Sequence, residues 1–283
     1  MIVPSLLPLA ALFATTLAAN PKRGLISDFN AASNVADAKK FTSPANSQLS
    51  WYYSFGQYPN QQMSTKYQFV MQQFGVNESP EADGNNFKNI KNLMSEVDKT
   101  RPAALLTFLE PVHYGVSVDA AVAAWKKYII PIKKKYPRMP IGSPSVINGP
   151  DSLPWIRSFQ QKCPQCKFDF LDVHYYWRYG EFKNEIKNWR KEFPKKPMWI
   201  TDIGFQDYNA DGSLTGMCAQ GDTSCVPQIK AMVNWMDQTP WIKRYTFRGE
   251  FRRGTGEGRY GWDFLQKNGG FTALGKWYVG VGK

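Results

Sequence analysis

The sequence predicts an α/β protein folded as a (β/α)8 TIM barrel. Eight short β-rich runs alternate with helical patterns from about residue 22 onward. Several of those runs are nearly continuous in apolar residues, as parallel strands covered on both faces must be. The chain of 283 residues is long enough for one full barrel core, and no linker, repeat or low-complexity tract divides it.

In chain order, Arg23 to Ser27 is the first strand, Leu49 to Phe55 the second and Gln68 to Phe74 the third. Ala104 to Glu110 is the fourth, Met139 to Ser143 the fifth and Phe168 to Tyr176 the sixth. Met198 to Ile203 and Tyr245 to Phe251 complete the set. The clearest helix runs from Val118 to Tyr136, with Val118, Val122, Trp125, Ile129 and Ile132 on one stripe and Ser117 as its N-cap. Ser152 to Gln161, Phe182 to Phe193 and Val226 to Met236 carry similar, shorter patterns.

Residues 1–19 are uncharged, with an apolar run from Ile2 to Ala14 followed by Thr16-Leu17-Ala18-Ala19. This is the pattern of a secretory leader, and Pro4, Pro8 and the short run argue against a membrane span. Residues 20–283 then form a single domain in a secreted protein, extracellular or in a cell wall. Four cysteines agree with an oxidising compartment. Two local bridges, Cys163 with Cys166 and Cys218 with Cys225, are the simplest pairing; a zinc site is the alternative. Asn77-Glu78-Ser79 has the pattern of a glycosylation site, with Pro80 behind it acting against modification. The net charge of +12 is spread along the chain, as in Lys133-Lys134-Lys135 on a helix, without the basic stripe or module that nucleic-acid binding requires. No cofactor is expected, and the chain reads as a monomer.

In a barrel of this kind the site lies at the C-terminal ends of the strands. Those ends offer Trp51 and Tyr53, then Glu110, then Ser143 to Asn148, then His174, Tyr175, Tyr176 and Trp177. Strand seven adds Asp202, and strand eight adds Arg248, Glu250 and Phe251. Glu110 and Asp202 are the two carboxylates that glycosidic cleavage calls for, one to protonate the leaving oxygen and one to attack or stabilise an oxocarbenium-like centre. The aromatic rings suit flat-faced sugars. Only two histidines exist, His113 and His174, in no spaced metal motif, so no metal is expected, and a serine-nucleophile motif is absent. Glu250 beside Arg248 reads as an ion pair more readily than as a catalytic group. Asp169 and Asp172 read as orienting groups, Trp199 as core, and Tyr260 and Trp262 as one wall of the cleft.

Four blocks together make the chain resemble glycoside hydrolase family 128, the β-1,3-glucanases related to the alkali-sensitive-linkage cell-wall protein. They are Leu106 to Pro111, Gly142 to Gly149, Cys163 to Cys166 with Phe168 to Tyr176, and Lys196 to Asp202. The resemblance runs from about Lys22 to Lys276. It implies a retaining mechanism with Glu110 as acid/base and position 202 as nucleophile. It further implies that Asn148, His174, Tyr176 and the Trp51 region help to hold a β-1,3-glucan.

Two departures fall on the catalytic pair. The family usually has Asn before the acid/base, where this chain has Leu109, and Glu at the nucleophile position, where this chain has Asp202. Leu109 cannot hydrogen-bond a sugar 2-hydroxyl, and Asp202 is shorter by one carbon–carbon bond, ~1.5 Å. A misplacement of about 1 Å costs on the order of 100-fold in rate. A shorter arm also moves the pair toward the roughly 6.5 Å separation of inverting enzymes. The expectation is a β-1,3-glucan-recognising protein that binds gluco-oligosaccharides with weak or absent hydrolysis; the alternative is an active retaining endo-β-1,3-glucanase using Glu110.

Overall fold

The computed structural model describes residues 19–27, 35–79, 89–176, 179–204, 207–208, 214–215, 225–247, 252 and 263–281. Its strands are β1 (Gly24–Ile26), β2 (Trp51–Tyr53), β3 in two pieces (Gln68–Phe69 and Met71–Gln72) and β4 (Leu105–Leu109). They continue with β5 (Ile141–Ile147), β6 (Leu171–Tyr176), β7 (Met198–Gly204) and β8 (Ile242–Phe247). All are paired in parallel: β1 with β2, β2 with the first piece of β3, then the second piece of β3 with β4 and onward to β8. A parallel bridge from Arg23 to Tyr245 joins β8 back to β1, so the sheet closes into the expected barrel.

The closure is fastened at the barrel's lower edge. Lys22 Nζ donates to the carbonyls of Met236, Asp237 and Thr239 at 2.9, 2.7 and 2.8 Å. Those carbonyls lie at the C-terminal end of α7 (Val226–Gln238), where a cation meets unsatisfied acceptors and the negative end of the helix dipole. Arg23 adds an ion pair to Asp237 at 2.7 Å.

The remaining helices are α1 (Val35–Thr42), α2 (Gln61–Ser64), α3 (Leu93–Thr100), α4 (118–135), α5 (Ser152–Lys162), α6 (Tyr179–Glu192) and α8 (Ala273–Val279). α4 has the cap read from the sequence: Ser117 accepts from the Ala120 N–H at 3.2 Å. Its middle, Trp125–Ile129, widens to a π turn, with the Ile130 N–H reaching Trp125. Pro131 is the reason, since its ring has no N–H and crowds the carbonyl four residues back. α1, α3 and α8 carry no cue that the sequence reading used.

Two strand ends differ from expectation. β5 runs four residues past Ser143, because Pro144 sits in a stretch where pairing with β4 is irregular. β8 starts three residues before Tyr245, and its expected end, residues 248–251, lies outside the described residues. Cys163 and Cys166 form a disulfide, and Cys225 is disulfide-bonded too; Cys218 lies outside the described residues. The leader-like residues 1–18 also lie outside them, and among the described residues no helix is long and apolar enough to cross a membrane.

The barrel interior is layered, as filled barrels of this type are. At the bottom Ile26, Trp51, Tyr53, Val70, Ala104, Leu106, Phe170 and Trp199 make an apolar floor, separate from the larger core beneath the helices. Above it lies a buried polar layer of Thr107, Ser143, Ser145, Asp172, Thr201 and Thr246. Glu110 and Asp202 come last, at the mouth.

Candidate active site

Glu110 follows β4 with φ 39°, and Phe108 two residues earlier has φ 31°. Both lie in the left-handed region that costs L-residues energy, and such strain collects where a side chain must be aimed. The Glu110 N–H is held by the Ser145 carbonyl at 2.9 Å, and the Leu109 N–H by the Phe74 carbonyl at 2.7 Å. Leu109 itself is buried, offering no polar group to a ligand.

Asp202 reaches the site through a bulge. Val173 on β6 pairs with Ile200, but the next residue, His174, pairs with Asp202, so Thr201 is an extra residue on β7. Ile200 and Ile203 both belong to the core under the helices, and Thr201 and Asp202 between them both turn inward. Strict alternation would have sent one of the pair outward.

Between the two carboxylates stands His174, fully buried, with Nδ1 2.8 Å from Glu110 Oε1 and Nε2 3.1 Å from Thr201 Oγ1. Glu110, at 12% side-chain exposure, opens to the cleft. Burial by itself would lower the His174 pKa. The hydrogen bond to Glu110 and the charges of Glu110, Asp202 and Asp172 outweigh it and raise the value to about 9. Below the ring, Asp172 accepts from the Thr201 hydroxyl at 2.6 Å and from the Ser145 hydroxyl. Burial pushes its pKa up, while His174 and those donors pull it back.

Tyr176 donates its hydroxyl to Asp202 Oδ1. Its ring rests on Gly204, where a Cβ would fall 2.6 Å from the ring. Asn148 holds the Tyr176 backbone from both sides, accepting from its N–H at 2.6 Å and donating to its carbonyl at 3.3 Å. Asn148 thus acts on the site by bracing Tyr176.

Oxygen atoms of Glu110 and Asp202 and a ring nitrogen of His174 lie within 4.8 Å of one another. Between these nearest atoms the gap is smaller than the roughly 6.5 Å that an inverting pair needs to admit a water. Each His174 nitrogen in this trio is engaged, Nδ1 by Glu110 and Nε2 by Thr201.

Two of the expected sugar contacts are placed elsewhere. Trp51 begins β2 and so lies on the barrel floor, fully buried, its indole N–H donating to the Lys22 carbonyl at 3.1 Å. Tyr53 is also fully buried and donates its hydroxyl to the Thr201 carbonyl, supporting β7 from below. Trp199 stacks on Phe170 at 3.9 Å, as core. Asp169 pairs with Lys133 at 2.8 Å on the surface, away from the cleft. Trp177, Arg248, Glu250, Phe251, Tyr260 and Trp262 lie outside the described residues. Two further residues at the site carry no sequence cue: Thr201, and Tyr114, an exposed ring one turn beyond Glu110 that packs on Phe74 at 4.9 Å.

With this geometry in hand, the chain can be compared with known proteins. A family model described as "Glycosyl hydrolase catalytic core" matches residues 29–278. Alkali-sensitive linkage protein 1 of Schizosaccharomyces pombe is 24% identical over 251 residues, covering 83% of this chain and 41% of that protein. The chain thus spans about two fifths of the length of that curated relative. A curdlan-specific exo-β-1,3-glucanase of family 128, subgroup III, from Blastomyces gilchristii, solved with glucose, superposes with a TM-score of 0.66 at 25% identity, covering 92% of this chain and 99% of its own. An oligosaccharide-binding protein of subgroup VII from Trichoderma gamsii superposes with a TM-score of 0.68 at 17% identity, covering 94% and 95%.

Proposed function

Because the chain belongs to the glycosyl hydrolase catalytic core family, we propose that its cleft binds β-1,3-gluco-oligosaccharides and hydrolyses them slowly, with retention of configuration. The resemblance to family 128 read from the four sequence blocks is borne out. The observation that carries the proposal is the Glu110–Asp202 pair, brought within 4.8 Å in spite of the shorter side chain.

The chemistry follows from that gap. Glu110 gives a proton to the glycosidic oxygen as the bond from that oxygen to the anomeric carbon breaks. Asp202 bonds to the same carbon, making a glycosyl ester, and Tyr176 steadies the carboxylate that attacks. Water then enters, Glu110 takes its proton, and the hydroxide displaces Asp202 with a second inversion. Leu109 lowers the rate, since it cannot grip the 2-hydroxyl whose bond strengthens in the transition state.

Binding without turnover is the second reading, and the apolar Leu109 at the position of a family Asn is what favours it. Laminari-oligosaccharides separate the two when binding heat and reducing ends are followed together. The proposal expects both signals, a first product with the β configuration by NMR, and a loss of about 100-fold or more in Glu110→Gln with binding kept. Heat without product would leave only the binder. Restoring the usual residues, Leu109→Asn with Asp202→Glu, should raise the rate, and silence in both signals with β-1,3-glucans would sink both readings. The leader-like residues 1–19 and the disulfide support a secreted location, in the medium or the cell wall, to be tested by finding the chain there.

A further inference from the structure

Asp172 is a fully buried carboxylate that the hydrolytic scheme does not use. It lies one layer below the cleft, where burying a charge is costly unless it is well bonded. Its two oxygens take hydroxyl hydrogens from Ser145 and Thr201, and its own N–H is bound by Ser143 Oγ at 2.9 Å.

A threonine hydroxyl has one hydrogen to give. Thr201 spends it on Asp172 at 2.6 Å, so toward His174 Nε2, 3.1 Å away, its oxygen can only accept. Nε2 therefore carries a proton. That leaves Nδ1, 2.8 Å from Glu110 Oε1, as the ring position where a proton is shared. The charged groups acting on the imidazole come from three strands: Glu110 after β4, Asp172 on its own β6, and Asp202 on β7. All are carboxylates, and all favour the cation.

We propose that Asp172 is a positioning residue that acts through Thr201 and His174 to set the proton on Glu110. The inference rests on the reading of Glu110 as acid/base. Before cleavage the proton lies between His174 Nδ1 and Glu110. Passing it to Glu110 breaks one N–H bond, makes one O–H bond and leaves neutral imidazole with its Nε2 hydrogen in place. The Glu110 proton then goes to the departing glycosidic oxygen. When Glu110 later takes a proton from water, Nδ1 can receive it and the starting state returns.

The test reads the imidazole itself, so it does not depend on whether glucan is cleaved. The chain has only two histidines, and in ¹⁵N-histidine-labelled protein His113→Gln identifies His174. The expected result is an Nε2 that stays protonated through neutral pH and an Nδ1 that titrates near 9. Asp172→Asn should lower that midpoint, leaving it above the ordinary histidine value of 6.5 because Glu110 and Asp202 still raise it. Asn fits the space, because the Ser145 hydroxyl already lies 3.2 Å from the Thr107 carbonyl and can turn to donate there. Where laminari-oligosaccharides are hydrolysed, the alkaline limb of kcat/KM should move down in parallel and the acid limb stay. If Asp172→Asn does not fold, Thr201→Val should lower the midpoint and Thr201→Ser restore it. An unprotonated Nε2 at neutral pH, or a midpoint that ignores both substitutions, would overturn the relay. Absence of glucan cleavage, by contrast, would count against the hydrolase reading alone.

Discussion

The floor and the mouth of the barrel interior are built on opposite principles. The floor holds one charge among rings: the Arg244 guanidinium lies 4.6 Å from the Trp199 ring and 5.3 Å from that of Trp51. One nitrogen donates to Gln68 Oε1 at 2.5 Å, and burial lowers its pKa to about 10. The mouth and the polar layer beneath it gather three carboxylates around one imidazole, within a net of hydroxyls. Aromatic faces stabilise a cation without fixing a proton. Carboxylates and hydroxyls fix protons, but only while every partner stays in place. The floor's contribution to stability does not depend on a proton, whereas the mouth's does.

The largest expected effect breaks the floor. Trp199→Ala would remove the ring that stacks on Phe170 and lies under Arg244. Truncating a buried Trp costs about 3–5 kcal/mol. Denaturant midpoints should fall accordingly, while glucan binding by the still-folded fraction stays as it was. A loss of binding at full stability would mean that the floor and the cleft are one cooperative unit.

The next effect belongs to the mouth and depends on pH. His174 holds its proton to about 9 in the folded chain, whereas an ordinary histidine releases it near 6.5. Between those values the folded state binds more protons, so stability is fully present below about 6.5 and falls as pH rises toward 9. The change is on the order of 3 kcal/mol or less. Unfolding followed from pH 6 to 9.5 would show it as a slope. Asp172→Asn should flatten that slope, and Trp199→Ala should leave it intact, which separates the two regions by a single measurement.

How much of this could be read from the sequence also divides by region. Apolar runs located all eight strands to within a few residues, because a buried parallel strand needs such a run wherever it sits. The rule of strand ends brought out Glu110, His174, Tyr176 and Asp202. It misplaced Trp51 and Tyr53, because β2 spans only Trp51 to Tyr53 and Trp51 begins it on the floor. Thr201 was illegible for another reason. Counting by twos from the inward Trp199 makes Thr201 inward and Asp202 outward, and only the bulge turns both in. A one-residue bulge has no composition of its own, so the inward turn of both residues could be seen only in three dimensions.

The smallest effect sharpens the comparison by moving one ring at the mouth. Gly204 leaves the Tyr176 ring no room for a methyl, since a Cβ there would sit 2.6 Å from it. Gly204→Ala should therefore push the ring away and break the hydroxyl's bond to Asp202. Because Tyr176 is half-exposed rather than packed in the floor, the stability cost should be only about 1 kcal/mol. Turnover of laminari-oligosaccharides should fall about fivefold, the rate equivalent of that one lost bond. Glucan binding should change less than turnover, since in the proposed mechanism the bond steadies Asp202 rather than the sugar. If binding and turnover fell together, Tyr176 would be a sugar contact first and a partner of Asp202 second.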